Sequence, residues 1–502
     1  MTDGSLWAAT VARSGAHPAL AGDVTVDVAV VGGGIVGLTT ACLAAGRGVR
    51  VALLEQGRVG DGTTGRTTGK VQEEHGGKYA SLRHRHGRSG ARAYATANRR
   101  GIDVLDALVA EGEVDAGYLS VDAHLVAPDA AQVTTVEEEA AAMRDAGLAP
   151  QLHDAAPELP FATARTLTLT DQRELHPRAL VQELARVAAA RGAAVHEHTP
   201  VEGLRRRKPG WILRTPTGQV RARHVVLATR LPLRDRALTF ARSEPTGADA
   251  LGVRLEDGPL LGSYYLLGRD RTVSLRGSRW PAGEGDHLVA ISPSSPTGDR
   301  RSNDELVAWV RERFAVADEV RTWRAWDQEP FDDRPLIGPA GPGGVLTATG
   351  FGKWGLALGA FAAEVLVDHV VGTDRPDAAF FRTTRVTPLG TGALRTLQGN
   401  AQIGVRFVGD RVRAGRLDPG GLTPGEGTVG RVGTTPVAAC RDADGQLHAV
   451  SAVCTHLGCL VEWDGVQGNW GCPCHASRFA PDGTVLEGPA TRPLDPVELP
   501  ET

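Results

Sequence analysis

Buried-looking apolar runs bounded by glycine alternate with stretches of helical spacing over the first three quarters of this chain. That alternation predicts an α/β fold. Residues 26–31 (Val-Asp-Val-Ala-Val-Val) read as a strand covered on both faces, an apolar Ala-rich helix runs to about Arg47, and 49–54 read as a second strand. Helical spacing recurs over 89–112, 130–147 and 178–191, and again over 302–314, where Asp304 and Glu305 occupy the first turn. Residues 211–215 and 219–229 flank a Pro-Thr-Gly turn and predict a hairpin, with 194–201 leading back to the first sheet. Strand-like runs at 264–267, 272–276 and 287–291 predict a second, mixed sheet within 241–292. A strand over 345–350 then breaks into a long apolar helix from Leu356 to about Val371. Residues 387–425 are rich in Gly and Pro apart from one helical piece, 392–413, and predict a linker. Short strands around 428–441 and 447–450 open a final all-β unit. Residues 1–25 read as a polar leader.

At 502 residues the chain exceeds one compact core, and roughly three domain-sized units are expected. A net charge of −4 gives no basic field for nucleic acid or an anionic membrane. The leader has no basic start, apolar run or twin arginine, and no apolar stretch approaches about 20 residues, so a cytoplasmic protein without a membrane span is expected. Two of the six cysteines, Cys42 and Cys440, read as buried thiols; the other four belong to a C-terminal cluster.

The first strand runs into Gly32-Gly-Gly34-Ile-Val-Gly37, and the second ends in Glu55. Gly32 permits the tight turn, Gly34 lets a pyrophosphate approach the backbone, and Gly37 lets helix and strand pack closely. The helix N-terminus offers N–H groups to phosphates, and Glu55 can accept from a ribose. A lone glycine pattern is weak evidence; strand, helix, strand and acid around it make a dinucleotide site. A second Gly/Thr-rich loop, 60–70, brings Thr64, Arg66, Thr67 and Thr68, which can line the rest of an extended cofactor. A third, Gly350-Phe-Gly352-Lys353-Trp354-Gly355, opens the late apolar helix.

Together these pieces resemble the D-amino-acid-oxidase-like FAD oxidoreductases over about 26–382. The resemblance implies a Rossmann-like FAD-binding domain built from about 26–90, 194–235 and 330–386. It implies an α+β substrate part mainly in 150–193 and 236–329, the whole unit spanning 26–386. It places the Val201 backbone at adenine, Thr229 at the end of the closing strand, and Gly350, Gly352, Lys353, Trp354 and Gly355 at the flavin.

Near the C-terminus lie Cys454-Thr-His456-Leu-Gly-Cys459 and Cys472-Pro-Cys474-His475. Two thiolates and two imidazoles fit a [2Fe–2S] cluster with Cys on one iron and His on the other, and the same residue types can build a zinc ribbon. With a further cysteine in each box, the segment resembles the Rieske family. That implies Cys454, His456, Cys472 and His475 as ligands, a Cys459–Cys474 disulfide bracing the two loops, and an all-β Rieske domain over 426–502. The family's usual glycine after the second histidine is Ala476 here, Ser477 can hydrogen-bond a bridging sulfide, and Phe479 stands where high-potential members carry Tyr. The missing hydroxyl implies a midpoint below the top of the family range of roughly −150 to +300 mV.

The flavin resemblance implies oxidation of an amine or amino acid by hydride transfer, and a one-electron cluster in the same chain implies exit of single electrons to a soluble acceptor protein. Arg276 with Tyr265 is the expected carboxylate clamp, against a surface arginine and a core tyrosine. Lys353 is expected to favour negative charge on reduced flavin, against a solvated lysine at a helix start. His176 is expected either to line the substrate pocket or to start a helix. His75 follows the Thr-rich loop and can lie near, or attach to, the flavin, or simply pack. Two alternatives stay open: a reductase in which NAD(P)H feeds the flavin and the cluster serves a separate oxygenase, and an oxidase whose cluster is structural. The first needs a nicotinamide site, for which only the glycine cluster at 338–344 is available.

Overall fold

The computed structural model describes residues 4–233, 239–268, 272–281, 286–296, 303–385, 415–465, 467–474 and 476–499. The helical piece expected at 392–413 and the ligand His475 lie outside the described residues.

The first sheet has the order Leu336–Pro339, Val345–Thr349, Gly218–Leu227, Val24–Val31, Val51–Leu54, Ala194–His196. All pairings along it are parallel except the edge strand Leu336–Pro339, which returns antiparallel to Val345–Thr349. Val28 to Val31 are buried because helices cover one face and the hairpin Gly203–Arg207, Gly210–Thr215 covers the other, with Trp211 and Leu213 packed beneath. On the helical face, Ile35–Gly46 packs between Gly355–Val371 and Pro177–Ala190. Lys78–Glu111, kinked at Gly87, crosses Gly355–Val371 so closely that a Cβ on Gly101 would lie 1.8 Å from the Ala357 carbonyl. Glycine is the residue that permits that crossing.

A second sheet has 10 strands. Its middle runs His287–Ile291, Val273–Ser278, Ser263–Leu266, Leu119–Ala127, Arg165–Glu174, and its far edge is Lys70–Val71. The sheet thus recruits strands from 70–71 and 119–127, outside the 150–193 and 236–329 expected from the sequence. The long strands Ser243–Leu255 and Val316–Pro330 pair antiparallel, and Asp304–Arg313 packs on the sheet through Leu306 and Val310.

The leader is part of the fold. Ser5 caps a short helix, Leu6–Thr10, and Trp7 is fully buried against His176 and Trp323. One tryptophan is too small a periodic signal to lift a polar segment out of the linker class, yet its burial alone is worth about 4–6 kcal/mol at 150–250 Å² of largely apolar area.

The C-terminal unit holds a three-stranded sheet (Gly427–Val432, Thr435–Arg441, Leu447–Ser451) and a four-stranded one (Glu462–Asp464, Asn469–Gly471, Arg478–Phe479, Val485–Glu487). It begins before the expected 426: Leu417 packs on Val437 and Ala439, and Arg416 bridges to Arg431.

Candidate flavin cleft and iron–sulfur site

The strands ending at Val31, Leu54, Leu227 and Thr349 all point their carboxyl ends into one crevice of about 1780 Å³. Ligands of open parallel sheets bind at this edge. Gly32, at φ +109°, turns the chain beneath the crevice, and a Cβ there would lie 2.5 Å from the Ala228 carbonyl. Gly37 lies under the turn, where a Cβ would meet the Gly32 carbonyl at 1.9 Å. Gly34, Thr64, Arg66 and Thr67 line the crevice, and Thr64 Oγ1 accepts from Ile35 N at 3.1 Å in the first helical turn. Glu55 borders it and accepts from Gly33 N at 2.7 Å and Gly57 N at 2.9 Å; burial pushes its carboxyl up. Val201, Thr229, Gly350, Lys353 and Gly355 complete the wall. Bare glycine backbone, a helix N-terminus, and a carboxylate at the end of the second strand fit the phosphates and ribose of FAD.

Beside the flavin loop lies an inner chamber of about 80 Å³, bordered by Thr68, Lys70, Tyr265, Ser274, Asp327 and Trp354. Lys353 borders both spaces, and its φ of +76° is a conformation that L-residues adopt at a cost. Gly352 borders neither and donates its N–H to the Gln328 carbonyl at 3.1 Å. Asp327 accepts from Lys353 N and Gln328 N, and burial pushes it up to about 6. Lys70 is buried, donates from Nζ to Ser274 Oγ at 2.6 Å, and is held below the ordinary lysine range by burial, against the pull of Glu74. Burial raises Glu74 in turn. Neither Lys70 nor Asp327 was visible as a site residue in the sequence, because nothing local marks a lysine on a two-residue strand as buried.

Arg276 differs from its expected role. Its Nη1 donates to the carbonyls of Thr68 (3.0 Å), Gly69 (3.0 Å) and Leu175 (2.8 Å), Nε donates to Gly277, and Nε lies 3.8 Å from Glu174 Oε2. Trp323 Nε1 donates to Arg66 O and Trp7 Nε1 to Thr67 O, both at 2.8 Å. Four consecutive carbonyls of the flavin loop, 66 to 69, are therefore held by three side chains. Arg276 braces the cofactor loop and lines neither space. Tyr265 does line the inner chamber, and burial pushes its hydroxyl up to about 12.

His176 also lies away from the chamber. It caps Pro177–Ala190 by accepting from Ala179 N at Nδ1, and its Nε2 lies 3.0 Å from Thr10 Oγ1. His75 stacks on Trp354 with centroids 4.2 Å apart, and its nitrogens are hydrogen-bonded with Tyr94 Oη and Gln72 O. It therefore orients Trp354, the aromatic that borders the chamber.

In the C-terminal unit Cys459 and Cys474 form a disulfide, and Cys472 Sγ lies within 4.8 Å of both sulfurs. Disulfide sulfurs are not thiolate donors, which leaves Cys454 and Cys472 as the thiols of the site. Cys454 is held below the usual thiol range by the Cys472 thiol, against burial, with help from the N–H groups of His456 and Leu457 and from Ser477. A thiol that ionises readily, paired with another in a buried loop, suits iron. Ala476 takes φ +57°, which explains why glycine is usual there, and its N–H closes the loop onto Cys472 O at 2.9 Å. These residues fit the cysteine side of a Rieske cluster, with His456 on the facing loop. The disulfide gives Cys459 and Cys474 the bracing role that a zinc ribbon built on the other four residues would leave unexplained.

The two units touch at this point. Arg230, one residue beyond Thr229, donates from Nη2 to Ala476 O at 3.0 Å and Gly488 O at 3.2 Å. Trp463, Pro473, Ala476 and Gly488 border the same crevice as the glycine turn. The sequence carried no sign of Arg230, an arginine after a strand end like many others.

Residues 27–369 match the family described as FAD dependent oxidoreductase, and residues 418–498 match the Rieske [2Fe-2S] domain. A putative Rieske 2Fe-2S iron-sulfur protein, YhfW of Bacillus subtilis (strain 168), is 29% identical over 490 residues, covering 96% of this chain and 95% of that one. The chloroplastic cytochrome b6-f complex iron-sulfur subunit of Bigelowiella natans is 55% identical over 47 residues, 9% of this chain and 19% of its own. In fold, glycine oxidase from Geobacillus kaustophilus superposes with a TM-score of 0.60 at 22% identity, over 72% of this chain and 100% of that one. L-Proline dehydrogenase from P. horikoshii superposes at 0.61 and 18%, over 73% and 98%. The chain belongs to the FAD-dependent oxidoreductase family, with FAD as its cofactor, and carries a Rieske [2Fe–2S] domain over residues 418–498.

Proposed function

We propose that this protein is a dehydrogenase of amines or amino acids whose electrons leave singly through the Rieske cluster. The observation that supports it is the shared crevice, lined both by the dinucleotide turn and by Ala476 of the ligand loop. Bound there, FAD supplies two-electron oxidation of a C–H bond beside nitrogen, and the cluster supplies one-electron exchange.

The chain's own residues prepare the substrate. An amine must lose its ammonium proton before the adjacent carbon can be oxidised. Lys70, neutral more readily than an ordinary lysine and fixed by Ser274, accepts that proton in the inner chamber. Lys353 stands at the border of chamber and crevice, where its ammonium attracts a substrate carboxylate; burial holds it below the ordinary lysine range, and Glu329 and Asp327 pull it back toward the charged form. Trp326 and Trp354 line the chamber and give it an aromatic wall. On the opposite ligand loop Leu457 is 50% exposed beside His456, an apolar contact for a soluble acceptor protein in the cytoplasm.

A nicotinamide-fed reductase finds less support. The glycines at 341–344 form the turn of the antiparallel hairpin Leu336–Pro339, Val345–Thr349, so no helix N-terminus stands there to receive a pyrophosphate. Anaerobic mixing of holoprotein with a panel of amino acids and secondary amines, and separately with NADPH, tests the choice. Bleaching of the flavin by an amino acid or amine supports the proposal; bleaching by NADPH alone overturns it.

A further inference from the structure

We propose that Arg230 is the positioning residue that fixes the cluster-bearing loop against the flavin crevice and raises the cluster's midpoint potential. This rests on the electron route given above, and the contacts that carry it are local to Arg230. Arg230 adopts φ +59°, costly for a side-chain-bearing residue, and its carbonyl accepts from Thr349 Oγ1 at the end of a neighbouring strand. The backbone is thereby held by the flavin sheet while the side chain, 9% exposed, enters the C-terminal unit. Nη2 reaches Ala476 O and Gly488 O, and Nη1 lies 3.5 Å from Glu487 Oε1. Glu487 also faces Arg478, 3.8 Å away. One planar fork thus ties two segments of the Rieske unit to the end of the flavin sheet, a task a lysine cannot copy.

The charge has a second consequence. Ala476 directly follows the ligand His475 in sequence. A guanidinium buried at this loop stabilises the reduced cluster, which is one charge more negative, and Glu487 opposes it.

The test is EPR-monitored titration of the holoprotein, poised with dithionite and mediators, for wild type, Arg230→Gln, Arg230→Lys and Glu487→Gln. Arg230→Gln is expected to lower the cluster midpoint by the equivalent of a tenfold change in its redox equilibrium, about 59 mV for one electron. Glu487→Gln is expected to raise it, and Arg230→Lys, which keeps the charge, to retain the midpoint within about a twofold change in the equilibrium. An unchanged midpoint in Arg230→Gln, or shifts of the same sign in Arg230→Gln and Glu487→Gln, overturns the proposal. If Arg230→Gln does not fold, the sign of the Glu487→Gln shift decides alone. Chemical poising makes the result independent of the substrate: failure of amines to reduce the wild type would strike the proposed function and leave this test readable.

Discussion

Lys70 Nζ donates to Ser274 Oγ across 2.6 Å and so ties the edge strand after the Thr-rich loop to the inner strand Val273–Ser278 of the same sheet, beside the inner chamber. Burial shifts Lys70 toward its neutral form, in which it has a lone pair to accept a proton.

The first prediction follows from that lone pair. Because its pKa is lowered, Lys70 is neutral above a pH well under the ordinary lysine value and protonated below it. The rate of flavin reduction is therefore expected to fall as pH drops through that lowered pKa. Lys70→Met is expected to remove this acid limb and to slow reduction by about 10²–10⁴. Stopped-flow absorbance across pH measures both; an acid limb that persists in Lys70→Met contradicts the assignment.

Arg276 makes a different prediction from the one its sequence position suggested. Truncation to Met removes the nearest cation from buried Glu174 and a buried donor from the carbonyls of Thr68, Gly69 and Leu175, at a cost of about 1–3 kcal/mol. The loss should appear as lowered thermal stability and faster FAD release. A rise in substrate KM with stability and FAD retention intact would restore the carboxylate-clamp reading.

Phe479 is fully buried next to the cluster loops. Phe479→Tyr returns the hydroxyl that high-potential Rieske domains carry and should raise the midpoint, on the order of the 59 mV of a tenfold change for one electron. Potentiometric titration reads the shift, and a native midpoint already at the upper extreme of the family range would contradict the argument.

Much of the scaffold was legible because it rests on short-range signals. The run 26–31, the glycine turn and Glu55 are neighbours in sequence and act together in space, as do the two Cys/His boxes. The residues that make the chamber are not neighbours. Lys70, Ser274 and Asp327 meet only because a strand of two residues joins a sheet assembled from distant segments. Trp7, alone in a polar leader, donates to the flavin loop 60 residues away. Arg276 was expected as half of a carboxylate clamp, and sequence could not show that backbone carbonyls would claim its donors first. Arg230 depends on a contact between two domains joined by a long connector, and no periodicity reports such a contact.

The central claim is that one chain takes a pair of electrons at FAD and releases them singly through its cluster. Anaerobic stopped-flow reduction by a productive amino acid or amine, freeze-quenched for EPR, tests this most directly. The account predicts that flavin bleaching is followed by the reduced-cluster signal at about one spin per chain, independent of protein concentration, as expected for transfer within a molecule. A fully bleached flavin beside a cluster that stays oxidised would contradict it.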